Sequence, residues 1–248
     1  METTSEITNT RAIGEKSREI PFAKRIGYYS AKRIVDVFLS SLALLFLSPL
    51  FAVLAIVVKN DSPGPVFFKQ KRVGTKLTKE GNHYLWRRGV FDCYKFRTMS
   101  SNASEDLHKA YIQALIRNNE KEMKELEGDG ASMHKLVNDS RITRSGRFLR
   151  KYSLDEIPQF WNVVKGDMSL VGPRLNIPYE VELYTPTHLQ RFNAKPGITG
   201  LQQVTSRCRT SFEEQINLDI DYINRQSLWL DFVILVRTPI TVFTQKGA

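Results

Sequence analysis

The segment Tyr152-Ser153-Leu154-Asp155-Glu156-Ile157-Pro158-Gln159-Phe160-Trp161-Asn162 sets two carboxylates side by side just ahead of a proline. Proline is tolerated in the first turn of a helix, and Ser153 or Asp155 can cap one, so the spacing predicts that a helix begins here. Free N–H groups and the dipole at a helix start lower a carboxylate's pKa and also attract phosphate. Adjacent residues on a helix diverge by about 100°. Asp155 and Glu156 can therefore do different work. One can face a phosphorus atom while the other helps to hold Mg2+, which takes oxygen from one or two carboxylates and from substrate phosphates. The same stretch also spells a Ser-x-x-Glu capping box, Ser153 with Glu156, whose role would be purely structural.

The surroundings of this pair are cationic. Arg141, Arg144, Arg147, Arg150 and Lys151 bring five cations and no acid to residues 140–151. Downstream, Gly166-Asp167-Met168-Ser169-Leu170-Val171-Gly172-Pro173-Arg174 and Lys195-Pro196-Gly197-Ile198-Thr199-Gly200 are Gly/Pro loops that add further cations. Arginines beside an acidic pair are costly in apolar surroundings unless phosphate is shared among them. Other chemistries have little support. Cys93 and Cys208 form no CxxC and no Cys/His set at zinc spacing, which speaks against a disulfide framework or metal knuckle and for a reducing environment. The four histidines are scattered, and neither GxGxxG nor a Walker A sequence occurs. Asp219-Ile220-Asp221 matches the Asp-x-Asp of metal-dependent glycosyltransferases, which makes direct sugar transfer the rival enzyme. Phe212, Ile216, Ile220 and Ile223 recur at helical spacing, however, so the two acids are expected to point apart on a solvated helix face.

The elements that must hold this chemistry begin with an apolar block. The chain has 248 residues, 42% hydrophobic and 25% charged, with a net charge of +10, and a mean hydropathy of only −0.31 conceals that block. Val37 to Val58 is 22 residues without a charge, which as a straight helix would roughly span a bilayer core of about 30 Å. Ser48-Pro49 interrupts it near the middle, and proline removes a donor there. Six Lys/Arg precede the block in residues 16–33 and six follow in residues 59–79, so the positive-inside rule puts both ends on the cytoplasmic side. A re-entrant helix hairpin follows, with a kinked spanning helix or a buried core helix as the alternatives. Asp36 at its start needs a cation, Lys32 or Arg33; an Arg33–Asp36 interfacial ion pair is expected. Residues 59–100 carry +7 of the +10, which suits an anionic lipid surface. A nucleic-acid patch built on Tyr84, Trp86, Phe91 and Tyr94, or a non-catalytic membrane scaffold, would use the same charge.

Three units result: a disordered or interfacial tail (1–30), the re-entrant hairpin (31–60) and a cytoplasmic catalytic domain (61–248). The tail is expected to be disordered over 1–15. Val66-Phe67-Phe68 opens a strand of a small antiparallel hairpin with a long loop around Lys79 to Val90. Ser104 to about Leu126 reads as an amphipathic cover helix ended by Gly128-Asp129-Gly130. Leu228 to Val236 reads as an interfacial helix closed off by Arg237 and Pro239. The fold class is α+β and mainly helical, with interfacial amphipathic helices.

Taken together, these motifs resemble the bacterial sugar transferases, the monotopic phosphoglycosyl transferases. The resemblance runs over about residues 31–243. It rests on Lys32-Arg33-x-x-Asp36 before a hairpin broken at Ser48-Pro49, Gln70-x-Arg72-x-Gly74, Lys95-Phe96-Arg97-Thr98-Met99, and Gly146-Arg147-Phe148-Leu149-Arg150-Lys151. Ser153-Leu154-Asp155-Glu156, Leu170-Val171-Gly172-Pro173-Arg174, Lys195 to Gly200 and Trp229-Leu230-Asp231 complete it. It implies transfer of a sugar phosphate from a UDP-sugar to a polyprenyl phosphate such as undecaprenyl phosphate, releasing UMP and starting a lipid-linked glycan. It further implies Asp155 as nucleophile, Glu156 as its dyad partner with both holding Mg2+, and Arg150 and Arg174 as phosphate binders. Lys95, Arg97 and Arg147 are the further candidates for that role. The implied setting is the cytoplasmic face of a bacterial inner membrane, against anionic phospholipid, with no nucleic acid partner; a homodimer is compatible with it. Two departures stand out: Leu175 replaces the proline that usually follows the loop arginine, and Thr78 to Val90 is an apparent insertion.

Overall fold

The computed structural model describes residues 16–20, 26–81, 83–100, 106–116, 141–205 and 211–244. The stretch 1–15, the expected helix beyond 106–116 with its Gly128-Asp129-Gly130 stop, and Cys208 lie outside them.

The apolar block forms two helices, α1 (Ile26–Phe46) and α2 (Ser48–Asp61), bent by 61°. The physical cause of the bend is local. Pro49 has no N–H to give the Leu45 carbonyl, and the Ser48 hydroxyl donates to that carbonyl instead, at 2.7 Å. No single described helix is long and apolar enough to cross a membrane; the bent pair together has the length and composition. Helix α1 is inverted relative to a helix in water. Lys32, Asp36 and Ser40, spaced four apart, are buried, whereas Ile34 is 70% exposed, Phe38 64% and Phe46 72%. A water-facing helix buries its apolar stripe; this one buries its polar stripe against the rest of the protein.

That stripe finds fixed partners. Lys32 Nζ donates to Asp231 Oδ2 at 2.8 Å, the Tyr28 hydroxyl donates to the same oxygen at 2.9 Å, and the Tyr222 hydroxyl donates to Oδ1 at 2.7 Å. Asp36 Oδ1 accepts the Leu170 N–H at 3.0 Å. The Arg33–Asp36 ion pair expected from the sequence does not form. The Arg33 guanidinium donates to the Val163 and Val164 carbonyls at 2.5 and 2.7 Å. Those carbonyls belong to the last turn of a helix, where only Val163 has a backbone donor, the Gly166 N–H at 2.9 Å.

Strands β1 (Lys16–Ile20), β2 (Phe67–Glu80) and β3 (His83–Phe96) form an antiparallel sheet in the order β1-β3-β2. Two expectations are corrected here. Part of the tail is a strand, with Lys16 opposite Arg87 and Ile20 opposite Tyr84. The long loop around Lys79 to Val90 is instead a continuous ladder from Phe67↔Phe96 to Glu80↔His83. Gly81 takes φ +59° there, and a Gly-Asn pair is itself a two-residue hairpin signal. The apparent insertion is thus the distal half of one hairpin.

Helix α3 (Asp106–Ile116) is followed by α4 (Arg144–Lys151), a 3-10 turn (Leu154–Glu156) and α5 (Gln159–Lys165). Then come β4 (Ser169–Val171), α6 (Pro178–Val181), a second 3-10 turn (His188–Phe192), β5 (Gly197–Thr199), α7 (Leu201–Thr205), α8 (Phe212–Arg225) and α9 (Leu228–Thr244). Strands β4 and β5 pair in parallel. Thus the fold is mainly helical with a small antiparallel sheet, as the sequence indicates. Cys93, Val163, Met168, Leu170, Tyr222 and Ile234 form the core between β3, α5, β4, α8 and α9. The last helix does not end at Arg237 and Pro239. The Thr238 and Thr241 hydroxyls donate to the Ile234 and Arg237 carbonyls at 2.8 and 3.0 Å, adding hydrogen bonds on both sides of the proline. Helix α2 closes on the rest of the fold through Leu54 and Val58 against Phe96 and Leu149, and Asp61 at its end accepts from Ser145 N and Oγ at the start of α4.

Removing one member of a buried pair leaves the other's charge unpaired. Lys32→Met should lower the unfolding free energy in detergent by about 3 kcal/mol, read as a clear fall in melting temperature. Lys71→Met, which breaks an exposed pair with Asp92, should leave the melting temperature nearly unchanged.

Candidate active site

Asp155 and Glu156 lie in the 3-10 turn between α4 and α5, and the regular helix begins only at Gln159. The expectation of a helix starting at Ser153 or Asp155 is therefore corrected, and no capping box forms. Ser153 sits at φ 55°, the one non-glycine residue with positive φ among those described, and its side chain caps nothing. Such a backbone costs of order 1 kcal/mol for a residue with a Cβ, and here it turns the chain sharply out of α4. Pro158 occupies the N-cap of α5. The following residues wind through Glu156 N–H to Ser153 carbonyl (3.3 Å) and Ile157 N–H to Leu154 carbonyl (3.4 Å).

Asp155 is buried. Glu156 Oε1 accepts from Lys95 Nζ at 2.8 Å, so the motif on β3 and the motif on the turn meet in an ion pair. What fixes their spacing is Asn162, which is fully buried on α5. Its Oδ1 accepts the Tyr94 N–H at 3.0 Å and its Nδ2 donates to the Asp92 carbonyl at 2.7 Å, so one side chain acts as a short strand partner for β3. Its backbone carbonyl also accepts from Gly166, Asp167 and Met168 N–H groups, closing the far end of α5.

Of the candidate phosphate binders, Arg150 lies in the last turn of α4 and donates from Nε to Thr98 Oγ1 at 3.0 Å. Arg147 is exposed one turn earlier. Arg97 is placed differently from its expected role. It is buried, and its Nη2 donates to the Ser62 carbonyl (2.6 Å), Ser62 Oγ (2.9 Å) and Val58 carbonyl (3.3 Å), so it closes the C-terminal end of α2. Arg174 is exposed after β4, on a loop held from behind. Its N–H donates to Asp219 Oδ2 at 3.3 Å, and the same oxygen pairs with Arg191. Asp219 is buried rather than solvated as its sequence pattern suggested, while Asp221 pairs with Arg225 at the surface. Burial works to raise the Asp219 carboxyl pKa, and the Arg191 guanidinium opposes it. The two Gly/Pro loops touch backbone to backbone: a Cβ on Gly172 would lie 2.2 Å from Lys195 O, and one on Gly197 would lie 2.2 Å from Gly172 N. Lys195 is thereby carried beneath the Arg174 loop, where burial and then Arg33 push its ammonium pKa down.

Sequence reasoning missed Asn162, Asp231 as the anchor of Lys32, and Asp219 with Arg191. A signal for Asp219 existed, since its helical phase puts it with Ile216, Tyr222 and Ile223 on the buried face. No three His, Cys, Asp or Glu side chains converge as a metal site among the described residues. Asp155 and Glu156 offer two carboxylates adjacent in the chain, a donor set that fits Mg2+ completed by substrate phosphate and water.

A family model described as bacterial sugar transferase matches residues 27–245. The undecaprenyl-phosphate galactose phosphotransferase of Salmonella typhimurium is 40% identical over 218 residues, 88% of this chain and 41% of that protein. The UDP-glucose:undecaprenyl-phosphate glucose-1-phosphate transferase of Xanthomonas campestris pv. campestris is 40% identical over 227 residues, again 88% of this chain and 40% of that one. The exopolysaccharide production protein ExoY of Rhizobium meliloti is 36% identical over 218 residues, 88% of each chain. The chain thus spans less than half the length of several curated relatives it matches.

The Asn162 clamp predicts a coupled loss. Asn162→Ala removes the partner of a half-buried strand N–H and carbonyl, at a cost of about 1 kcal/mol, measurable by denaturant titration. Any activity of the dyad should fall with it, because β3 and the turn lose their common support.

Proposed function

Since the chain belongs to the bacterial sugar transferase family, we propose that it transfers a sugar 1-phosphate from a UDP-sugar to a polyprenyl phosphate at a membrane surface, releasing UMP and beginning a lipid-linked glycan. The observation that carries this reading is the turn at Ser153. It presents a buried carboxylate, Asp155, beside a second one that Lys95 already holds in place.

Asp155 attacks the β-phosphorus of the donor. A bond forms between its carboxylate oxygen and phosphorus, and the bond from that phosphorus to the UMP oxygen breaks with its electron pair. A phosphate oxygen of the polyprenyl phosphate then attacks the same phosphorus, and Asp155 leaves as carboxylate. Two displacements replace one difficult transfer. Glu156, steadied by Lys95, keeps a second carboxylate oriented beside the nucleophile, and Arg150 and Arg174 supply cations for phosphate oxygens. Asp155 and Glu156 would hold Mg2+, which offsets charge on the transferring phosphoryl group when bound.

The inverted helix α1 supports the membrane half of the reading: exposed Ile34, Phe38, Leu42 and Leu45 face hydrocarbon, and the Ser48-Pro49 bend returns the chain to the side it came from. Exposed Trp229, Phe232, Val236 and Ile240 on α9 lie against the same interface. The catalytic domain then sits at headgroup depth on the cytoplasmic face of a bacterial membrane.

Incubation with donor alone should release UMP and add the mass of one sugar phosphate, and Asp155→Asn should abolish both; UMP release only when acceptor is present would support direct displacement instead. Cysteines introduced at positions 16 and 76 should both label from the cytoplasmic side in oriented vesicles. Labelling from opposite sides would replace the hairpin with a spanning helix.

A further inference from the structure

The antiparallel register of the hairpin puts Gln70 opposite Cys93 and Arg72 opposite Phe91. Directly opposed residues and those two apart along a strand share a face, so Gln70, Arg72, Cys93 and Lys95 all project to one side. The other side carries Lys69, Lys71, Asp92 and Tyr94, where Lys71 pairs with Asp92 at 2.9 Å and Lys69 lies over the Tyr94 ring. The first side packs against the Leu154–Glu156 turn and is the one from which Lys95 reaches Glu156.

On this inner face Arg72 is half-buried and has no carboxylate partner among the described residues. Nη2 donates to Gln70 Oε1 at 2.6 Å, which draws the guanidinium along the strand toward Lys95, and Nε is buried with no hydrogen-bond partner. Glu156, the carboxylate at hand, is engaged by Lys95. The buried Cys93 thiol registers the grouping. Burial raises its pKa, while Lys95 and Arg72 pull it down and Glu156 pushes it up, so all three charges lie within reach of one sulfur. A half-buried guanidinium with a neutral side-chain partner beside a carboxylate dyad is poised for an anion with several oxygens, since its planar fork matches phosphate in a way an ammonium cannot.

We propose that Arg72, positioned by Gln70, is a phosphate-binding residue of this site and grips the diphosphate of the nucleotide donor. This rests on the transferase reading for the identity of the donor, whereas the affinity for a diphosphate rests on the geometry alone. Gln70 is a positioning residue: its carbonyl oxygen turns the guanidinium toward the dyad and leaves the remaining N–H groups for the ligand.

The test is titration calorimetry of the full chain in detergent with inorganic pyrophosphate and with UDP. Arg72→Lys should weaken both by about tenfold, the loss of one charge-assisted hydrogen bond, with an unchanged melting temperature. Gln70→Met should weaken both severalfold and have no further effect in the Arg72→Lys background, since the two act as a unit. Unchanged affinity in Arg72→Lys, or a fall in melting temperature with affinity intact, overturns the proposal, as does a wild-type protein that binds neither probe. Steady-state kinetics separate the two readings. A raised KM for the UDP-sugar supports both, whereas a raised KM for polyprenyl phosphate alone overturns the donor assignment. Arg72-dependent pyrophosphate binding by a wild type that turns over no UDP-sugar would uphold the site and sink the transferase reading.

Discussion

Everything in this molecule depends on how α1 buries its charged residues while its apolar ones stay exposed. Lys32, Asp36 and Ser40 form a polar stripe that would be prohibitive facing hydrocarbon. Because each charged member meets a fixed group on the rest of the fold, the stripe becomes a dock. Asp231 receives an ammonium and two hydroxyls, and Asp36 receives a strand N–H. Breaking any of these contacts would leave a buried charge or dipole unmatched, so α1 and the rest of the fold hold one relative position. The orientation of α1 on the rest of the fold is then set by the phase of a single helix.

The same logic recurs at the dyad. A two-carboxylate turn has no regular helix to hold it, and its position comes from neighbours that each make two connections. Asn162 joins α5 to β3, Lys95 joins β3 to Glu156, and Thr98 at the end of that strand accepts from Arg150. The carboxylates are thus located by strand β3 on one side and by the close of α4 on the other. The strained backbone at Ser153 is tolerated because both flanking helices are capped and anchored independently of it.

The sequence was most informative where one residue type has few structural uses. The uncharged block with its Ser48-Pro49 interruption was legible, as were the Gly/Pro loops. Each of these owes its meaning to backbone chemistry or to charge, which neighbouring residues cannot easily disguise. Partnerships across the fold were less legible. Arg33 and Asp36 are close in sequence and of opposite charge, yet helix-end carbonyls and a strand N–H outcompete their mutual attraction. Arg97 sits in a basic motif, yet helix α2 takes it. The distal hairpin was obscured because Leu85 and Trp86, consecutive and therefore on opposite faces, are both buried among charged neighbours, so the alternation that marks a half-buried strand is missing.

The backbone contact between Gly172 and Gly197 has a consequence for how this site can vary. With no room for a Cβ on either loop, the segments bearing Arg174 and Lys195 are interlocked halves of one part, although they are separate in the chain. A change in the shape of one must be matched in the other. Substrate preferences that depend on these loops would therefore be transplanted between homologues only as a pair, and a chimaera taking one loop from each parent would inherit neither.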